Sequence, residues 1–262
     1  MNVRMLPPRA PAAASARVPT LGVLMLETRF PRVVGDIGNP ATFDHPVRYA
    51  VVRGASPRRV VHGCDPQLLQ PFIEAGRDLA RGGADAIATS CGFLVLFQHA
   101  LHDALGVPVW SSSLLALPEL QARLAPGCCV GIVTVDAAAL GAADLRAAGA
   151  PLDTPIEGLE PGCAFQRCLL DDEPTLDPIA ARDATVAAAQ RLVARRPDVA
   201  ALVLECTNMA PYADAVRATT KRPVDDITTL VASRFIAAST ATAGATADAH
   251  PSRRSDRTQR SR

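Results

Sequence analysis

Two cysteines carry the strongest chemical signal in this chain. Cys91 ends the run Ala84-Asp-Ala-Ile-Ala-Thr-Ser-Cys91, and Cys206 follows Val199-Ala-Ala-Leu-Val-Leu-Glu205. Each follows a short, continuous apolar stretch of the kind that forms a strand buried on both faces. Each is followed by a helix-like stretch, Phe93 to Leu105 in one case and Ala210 to Arg217, with Pro211 in its first turn, in the other. Open parallel sheets place their ligands at such strand-to-helix junctions. The positive end of a helix is expected to lower a thiol pKa there. One thiolate and one thiol on opposite sides of a substrate carbon form an acid–base pair, one removing a proton and the other delivering one. The carbanion formed between them delocalises into an adjacent carboxylate, where backbone amides and hydroxyls can stabilise it. Thr89, Ser90, Thr207 and Asn208 are groups of the required type beside the thiols.

The elements that must position the pair are duplicated. Cys91 and Cys206 are 115 residues apart, and so are Pro108 and Pro223 in the later Gly106-Val-Pro-Val-Trp110 and Lys221-Arg-Pro-Val-Asp225. Two landmarks at one offset indicate an internal repeat. Leu21–Leu26 and Cys129–Val135 are matching first strands of the two copies. Val47–Val52 and Arg59–Val61 read as strand pieces, and Asp65 as the cap of a helix from Pro66 to Arg81. Ser111–Ser113 cap a helix from Leu114 to Leu124, and Asp136 caps an alanine-rich helix to about Ala148. Pro151–Gly158 holds one short strand, Leu159–Asp177 reads as irregular, and Pro178–Arg195 and Thr228–Ala238 read as helices.

Alternating strands and helices predict an α/β protein of two pseudo-symmetric lobes. Each lobe is a parallel sheet flanked by helices, with the active site in the cleft between them. The expected division is a disordered segment 1–19, lobe one from 20–113 plus 209–239, lobe two from 114–208, and a disordered tail 240–262. The long turn-rich segment Glu27–Phe43 carries Asp36 and Asn39. These can reach the cleft or simply serve the turns.

Composition narrows the function. A net charge of +1 over 262 residues offers no broad basic field for nucleic acid. No apolar run reaches the ~18–20 residues of a membrane span. Seven cysteines without disulfide-like spacing or an export signal point to free thiols in a reducing, cytoplasmic setting. Cys64, Cys128 and Cys129 read as packing residues, and Cys163 with Cys168 makes a poor zinc site. No phosphate-binding loop or dinucleotide fingerprint is present.

Thr89-Ser-Cys-Gly92 and Glu205-Cys-Thr-Asn208, on duplicated α/β halves, resemble the aspartate/glutamate/hydantoin racemase superfamily over approximately Val18 to Ile236. The resemblance implies that Cys91 and Cys206 are the catalytic thiols and that no cofactor or metal is needed. It also implies that neighbouring backbone and hydroxyl groups hold a substrate carboxylate. The substrate-binding set is then Thr89, Ser90, Gly92, Thr134, Glu205, Thr207, Asn208 and Asn39. Glu205 either tunes the thiol or binds a substrate ammonium, and a salt bridge at the sheet edge explains it equally well. Glutamate racemases carry Asn-Thr after the first cysteine and Thr-His after the second. Gly92-Phe93 and Thr207-Asn208 stand there in this chain, which points away from glutamate. Arylmalonate decarboxylases share the fold but resemble one-cysteine enzymes with glycine at the first position.

The expected function is a cofactor-independent isomerase, a racemase or epimerase moving a proton at the α-carbon of an amino acid or related carboxylate. Cis–trans isomerisation through a cysteine adduct, as in maleate isomerases, and a non-catalytic small-ligand binder are the alternatives. The expected partner is a small carboxylate or amino acid, with no nucleic acid or membrane involved and homo-oligomerisation left open.

Overall fold

The computed structural model describes residues 18–235. The expected tails, 1–19 and 240–262, fall almost wholly outside that range.

Two four-stranded parallel sheets form the frame. The first sheet contains β1 (Leu21–Leu26), β2 (Val47–Val52), β3 (Ala86–Thr89) and β4 (Val109–Trp110) in the order β2-β1-β3-β4. The second contains β5 (Cys129–Thr134), β6 (Ile156–Gly158), β7 (Val199–Leu204) and β8 (Val224–Asp225) in the order β6-β5-β7-β8. The two orders are the same when each sheet is counted from its first strand, so the internal repeat is a repeat of topology. All six residues of β1 are buried, as are all four of β3. Helices cover both faces of such a sheet, so its central strands have no solvated side and read as unbroken apolar runs.

The helices are α1 (Pro57–Val61), α2 (Leu69–Arg81), α3 (Gln98–Leu105), α4 (Leu117–Ala122), α5 (Ala142–Ala147), α6 (Ala164–Leu170), α7 (Pro178–Arg195) and α8 (Ala213–Thr220). Their sequence signals are local. The Asp177 carboxylate accepts the backbone N–H groups of Ile179 and Ala180, Pro178 occupies the first turn, and an alanine-rich stretch follows, so α7 begins where expected. Asp65 caps a 3-10 turn, Pro66–Leu68, that leads into α2. Ser112 caps the 3-10 turn Ser113–Ala116 ahead of α4.

Four local expectations are corrected. Arg59–Val61 belongs to α1, because Ser56-Pro57 starts a helix there despite the two valines. Asp136 caps only a turn, accepting Ala138 N–H, and α5 begins at Ala142 with Asp144 closing back on Gly141 N–H. Leu159–Asp177 is not wholly irregular, since it contains α6. The chain does not return to lobe one at 209, because β8 pairs in parallel with β7 and the second sheet therefore continues to Asp225. Residues 227–235 are helical, and Ile227, Leu230, Val231 and Phe235 pack with Leu21 and Trp110 of the first sheet. The larger core cluster runs through both lobes. Among the described residues, no helix is long and apolar enough to cross a membrane.

Candidate active site

The repeat places the two thiols in equivalent positions. Cys91 lies two residues past the end of β3, and Cys206 two residues past the end of β7. Each is followed at once by a six-residue 3-10 turn, Gly92–Phe97 or Thr207–Tyr212, that leads into α3 or α8. In each copy the sulfur accepts a backbone N–H two residues on, Phe93 N–H for Cys91 and Asn208 N–H for Cys206. Both cysteines line one small cavity of about 30 Å³ at the carboxyl ends of the strands. Its other walls are mainly apolar and include Leu26, Phe30, Val61, Phe93, Leu169 and Leu170.

Hydrogen bonds tie the two thiol loops to each other across the lobes. Thr207 Oγ1 donates to Ser90 O at 2.8 Å, and Ser113 Oγ donates to Leu204 O at 2.8 Å. Ser90 Oγ accepts Leu26 N–H at 2.9 Å, and Thr89 Oγ1 donates to Ser111 O at 2.7 Å. These bonds are buried, where an unpaired polar group is costly, so they hold the loops in register.

The segment after β1 reaches from lobe one to Cys206. Arg32 Nη1 donates to Asp36 Oδ1 at 3.0 Å in a buried ion pair, and its guanidinium lies over the Phe30 ring, 5.1 Å from the centroid. Asp36 Oδ2 accepts Asn208 Nδ2 at 2.5 Å, and the Cys206 thiol donates weakly to Asn208 Oδ1 at 3.7 Å. Arg32, Asp36, Asn208 and Cys206 therefore form one hydrogen-bonded chain.

Glu205 directly precedes Cys206 and lies against Gly92, the neighbour of Cys91. It is fully buried; its Oε2 accepts Thr134 Oγ1 at 2.7 Å and its Oε1 has no partner. Burial, and secondarily the Asp144 carboxylate, pushes its pKa up to about 8. Both thiol pKa values are also raised. Burial is the largest cause and the Glu205 charge the next, and together they outweigh the accepted N–H groups. Cys91 keeps some exposure to the cavity, but protein atoms surround it closely enough for desolvation to govern. The expectation that helix ends lower these thiol pKa values is therefore reversed, because loss of solvation favours the neutral thiol.

Of the ten residues singled out from the sequence, Ser90, Cys91, Gly92, Glu205, Cys206 and Asn208 line the cavity. Thr89, Thr134 and Thr207 stand behind it and hold, respectively, the Ser111 carbonyl, the Glu205 carboxyl and the Ser90 carbonyl. Asn39 caps the 3-10 turn Pro40–Thr42 and donates to Arg32 O, so it supports the loop rather than lining the cavity. Arg32 was missed. The one signal for it was the length of the turn-rich segment that carries it. Leu169 and Leu170 were missed because α6 was missed.

No protein-family model matches the chain. It is 31% identical over 216 residues to a dimethylsulfoniopropionate lyase from Durusdinium sp. clade D, covering 79% of this chain and 71% of that protein. It is 32% identical over 222 residues to dimethylsulfoniopropionate lyase 7 of Emiliania huxleyi, covering 80% of this chain and 64% of that protein. Among solved structures, a glycine-to-cysteine variant of arylmalonate decarboxylase superposes with a TM-score of 0.54 at 18% identity, covering 79% of this chain and 87% of that one. Another arylmalonate decarboxylase structure gives 0.51 at 16% identity, covering 79% and 86%. The fold is that of arylmalonate decarboxylase, the fold expected from the sequence.

Proposed function

Because the chain belongs to the dimethylsulfoniopropionate lyase family, we propose that it is a lyase that removes the α-proton of a small carboxylate and expels a sulfide from the β-carbon. The observation that carries this reading is a two-thiol cavity with apolar and aromatic walls and no ionised acid free to hold an α-ammonium. Burial pushes the Glu205 pKa up to about 8, which favours its neutral form near pH 7, and Asp36 is already engaged by Arg32 and Asn208. An α-ammonium needs acceptors for its three N–H donors, whereas a dimethylsulfonium has no donor and suits apolar and aromatic walls.

The reaction balances without a further reagent. A cysteine thiolate takes the α-proton, so an S–H bond forms as the C–H bond breaks. The electron pair spreads into the carboxylate as an enediolate. It returns to form the Cα–Cβ double bond as the Cβ–S⁺ bond breaks, and the sulfur leaves with its pair as neutral dimethyl sulfide. The products are acrylate, dimethyl sulfide and the proton on the thiol, which is later released to solvent. The sulfonium also favours the thiolate, opposing a site that raises thiol pKa values. An opposite charge within ~4–6 Å favours the ionised form by roughly 1–3 units.

Cys206 is the better candidate for the base. Asn208 holds its sulfur from two sides, through its backbone N–H and its side-chain Oδ1, and Asn208 is itself anchored by Asp36.

Racemisation or epimerisation at an α-carbon is the second reading, favoured by the equivalent placement of two thiols. It shares the first step and differs in the fate of the carbanion. The test is to supply dimethylsulfoniopropionate and a panel of D- and L-amino acids in D₂O, following dimethyl sulfide, acrylate and α-deuterium. Dimethyl sulfide and acrylate in equal amounts are expected. Deuterium exchange into amino acids without sulfide release would replace the lyase reading with the racemase one.

A further inference from the structure

Glu205 is a buried acid whose surroundings fit a hydrogen-bond donor better than a charge. Its Oε2 is occupied by the Thr134 hydroxyl at 2.7 Å. Its Oε1 is buried without a partner and lies against Gly92, where a built Cβ would be 2.2 Å away. Gly92 follows Cys91 and Glu205 precedes Cys206, so this oxygen sits between the two thiol loops, in a residue that lines the cavity. The titratable groups facing it are Cys91, Cys206 and, from α5, Asp144; the cavity's one guanidinium, Arg32, is committed to Asp36. An ionised carboxylate there would have one oxygen unsatisfied in a medium that stabilises charge poorly. The proton therefore belongs on Oε1, the oxygen that no donor reaches.

We propose that this Oε1 hydroxyl is the donor that binds the substrate's carboxylate between the thiols and holds the enediolate that develops from it. The inference rests on the α-proton abstraction proposed above. A bound carboxylate accepts only, and the other side-chain donors at the cavity are largely engaged. Asn208 Nδ2 is on Asp36, and Arg32 is on Asp36 and Thr28. The Ser90 hydroxyl, whose oxygen already accepts Leu26 N–H, retains its own proton as a second donor. A neutral acid suits the task. It adds no negative charge beside the thiolate, and its hydrogen bond strengthens as charge moves from Cα onto the carboxylate oxygens. Glu205 thus becomes a catalytic residue directed at the carboxylate end of the substrate, not at an ammonium.

The experiment compares Glu205→Gln, which keeps a donor, with Glu205→Leu, which removes it, in the full chain. With dimethylsulfoniopropionate, Glu205→Leu is expected to lose about 10²–10³-fold in kcat/KM, mostly in kcat. Glu205→Gln is expected to stay within about tenfold of wild type at pH 7 and to lack the wild-type fall in activity above pH ~8. Equal loss in two folded variants, or an unchanged alkaline limb in Glu205→Gln, overturns the proposal. Infrared difference spectra give a readout that does not depend on turnover. Wild type at pH 6 should show the carbonyl band of a protonated carboxylic acid, absent in Glu205→Gln, and propionate should shift it. A missing band or no shift overturns the role of Glu205. Wild type that releases no sulfide but shows a propionate-shifted band instead overturns the lyase reading.

Discussion

Gly92 and Glu205 meet so closely that no other residue fits at position 92. A Cβ there would lie 2.2 Å from Glu205 Oε1 and 2.5 Å from the Glu205 carbonyl oxygen. The equivalent position in lobe two is Thr207, whose hydroxyl reaches the Ser90 carbonyl. The two halves thus solve the same contact differently. One places a side chain on the opposite loop, and the other removes its side chain so that a buried acid can approach.

Gly92→Ala tests this contact. The clash is with backbone and with an acid that has no room to move, so the thiol loops must separate. A loss of about 1–3 kcal/mol in stability is expected from overpacking. Activity should fall by at least about 10²-fold, because a displacement of ~1 Å misplaces the reacting groups. Urea unfolding and steady-state kinetics measure the two effects. An alanine variant with wild-type kcat/KM would mean that the carboxyl does not hold this position.

The two cysteines should prove unequal. If Cys206 is the base for elimination, Cys206→Ala loses about 10³-fold or more in sulfide release, within the range of a removed general base. Cys91→Ala keeps a measurable part of that activity, since elimination needs a proton taken from one face only. Both variants should lose two-face exchange of an α-proton if the protein performs it at all. Equal and complete loss of sulfide release in both variants would favour a two-thiol reaction instead.

Asp36 anchors a buried network, and its removal is predicted to be structural as well as catalytic. Asp36→Ala leaves the Arg32 guanidinium buried without its partner, at an expected cost of about 3–5 kcal/mol. It also releases Asn208 from its 2.5 Å bond, and with it the orientation of the Cys206 thiol. An Arg32→Met, Asp36→Leu double variant removes both charges and should recover most of the stability but not the activity. Chemical denaturation of the three proteins decides the point, and a double variant no more stable than Asp36→Ala would count against a charge-pair explanation.

Ion pairs also span the lobes beside the cavity. The Asp172 carboxylate accepts from Arg29 N–H at 2.6 Å and from Arg29 Nε at 3.1 Å, and Arg58 pairs with Asp171 at 2.5 Å. Both acids directly follow Leu169 and Leu170, and Arg29 directly precedes Phe30, all cavity-lining residues. The arginines are well exposed, so each pair is worth only about 0–1 kcal/mol in stability. Asp171→Asn with Asp172→Asn should therefore leave unfolding nearly unchanged. If these pairs keep the cavity closed, the same change raises KM and removes a salt dependence of KM that wild type shows. An unchanged KM across ionic strength in both proteins would separate these pairs from access to the site.

The sequence revealed the frame and the thiols for different reasons. Val199–Leu204 and Ala86–Thr89 are continuous apolar runs because both faces of their sheets are covered, and the shared 115-residue offset made Cys91 and Cys206 a pair. By contrast, α6 escaped because seven residues between Gly162 and Asp171 are too few to establish a helical period. Position β8 escaped because two residues, Val224 and Asp225, carry no pattern that says which sheet they join. Arg32 lies in a loop, where tertiary contacts alone determine what a side chain meets. The protonation of the site was also beyond reach. Helix ends favour a thiolate, and only the packed structure shows how fully burial and Glu205 oppose them.

Glu205 should also leave a mark on the pH dependence of stability. Its pKa is raised from an ordinary 4.5 to about 8 on folding. Between those values the folded protein holds a proton that the unfolded chain has released, so stability falls as pH rises through the interval and levels off above it. Put the other way, the contribution is fully present below the unfolded pKa and is gone once the folded carboxyl ionises. Asp144 and Asp226, also raised by burial, act in the same direction, so the overall slope belongs to several groups. Glu205→Gln isolates one of them, because its amide does not ionise. The difference in unfolding free energy between Glu205→Gln and wild type should grow in favour of the variant from pH 5 to pH 9, by an amount of order a few kcal/mol. Urea midpoints across that range measure it. A difference that stays flat from pH 5 to pH 9 would mean that Glu205 ionises in the folded protein as it does in the unfolded chain.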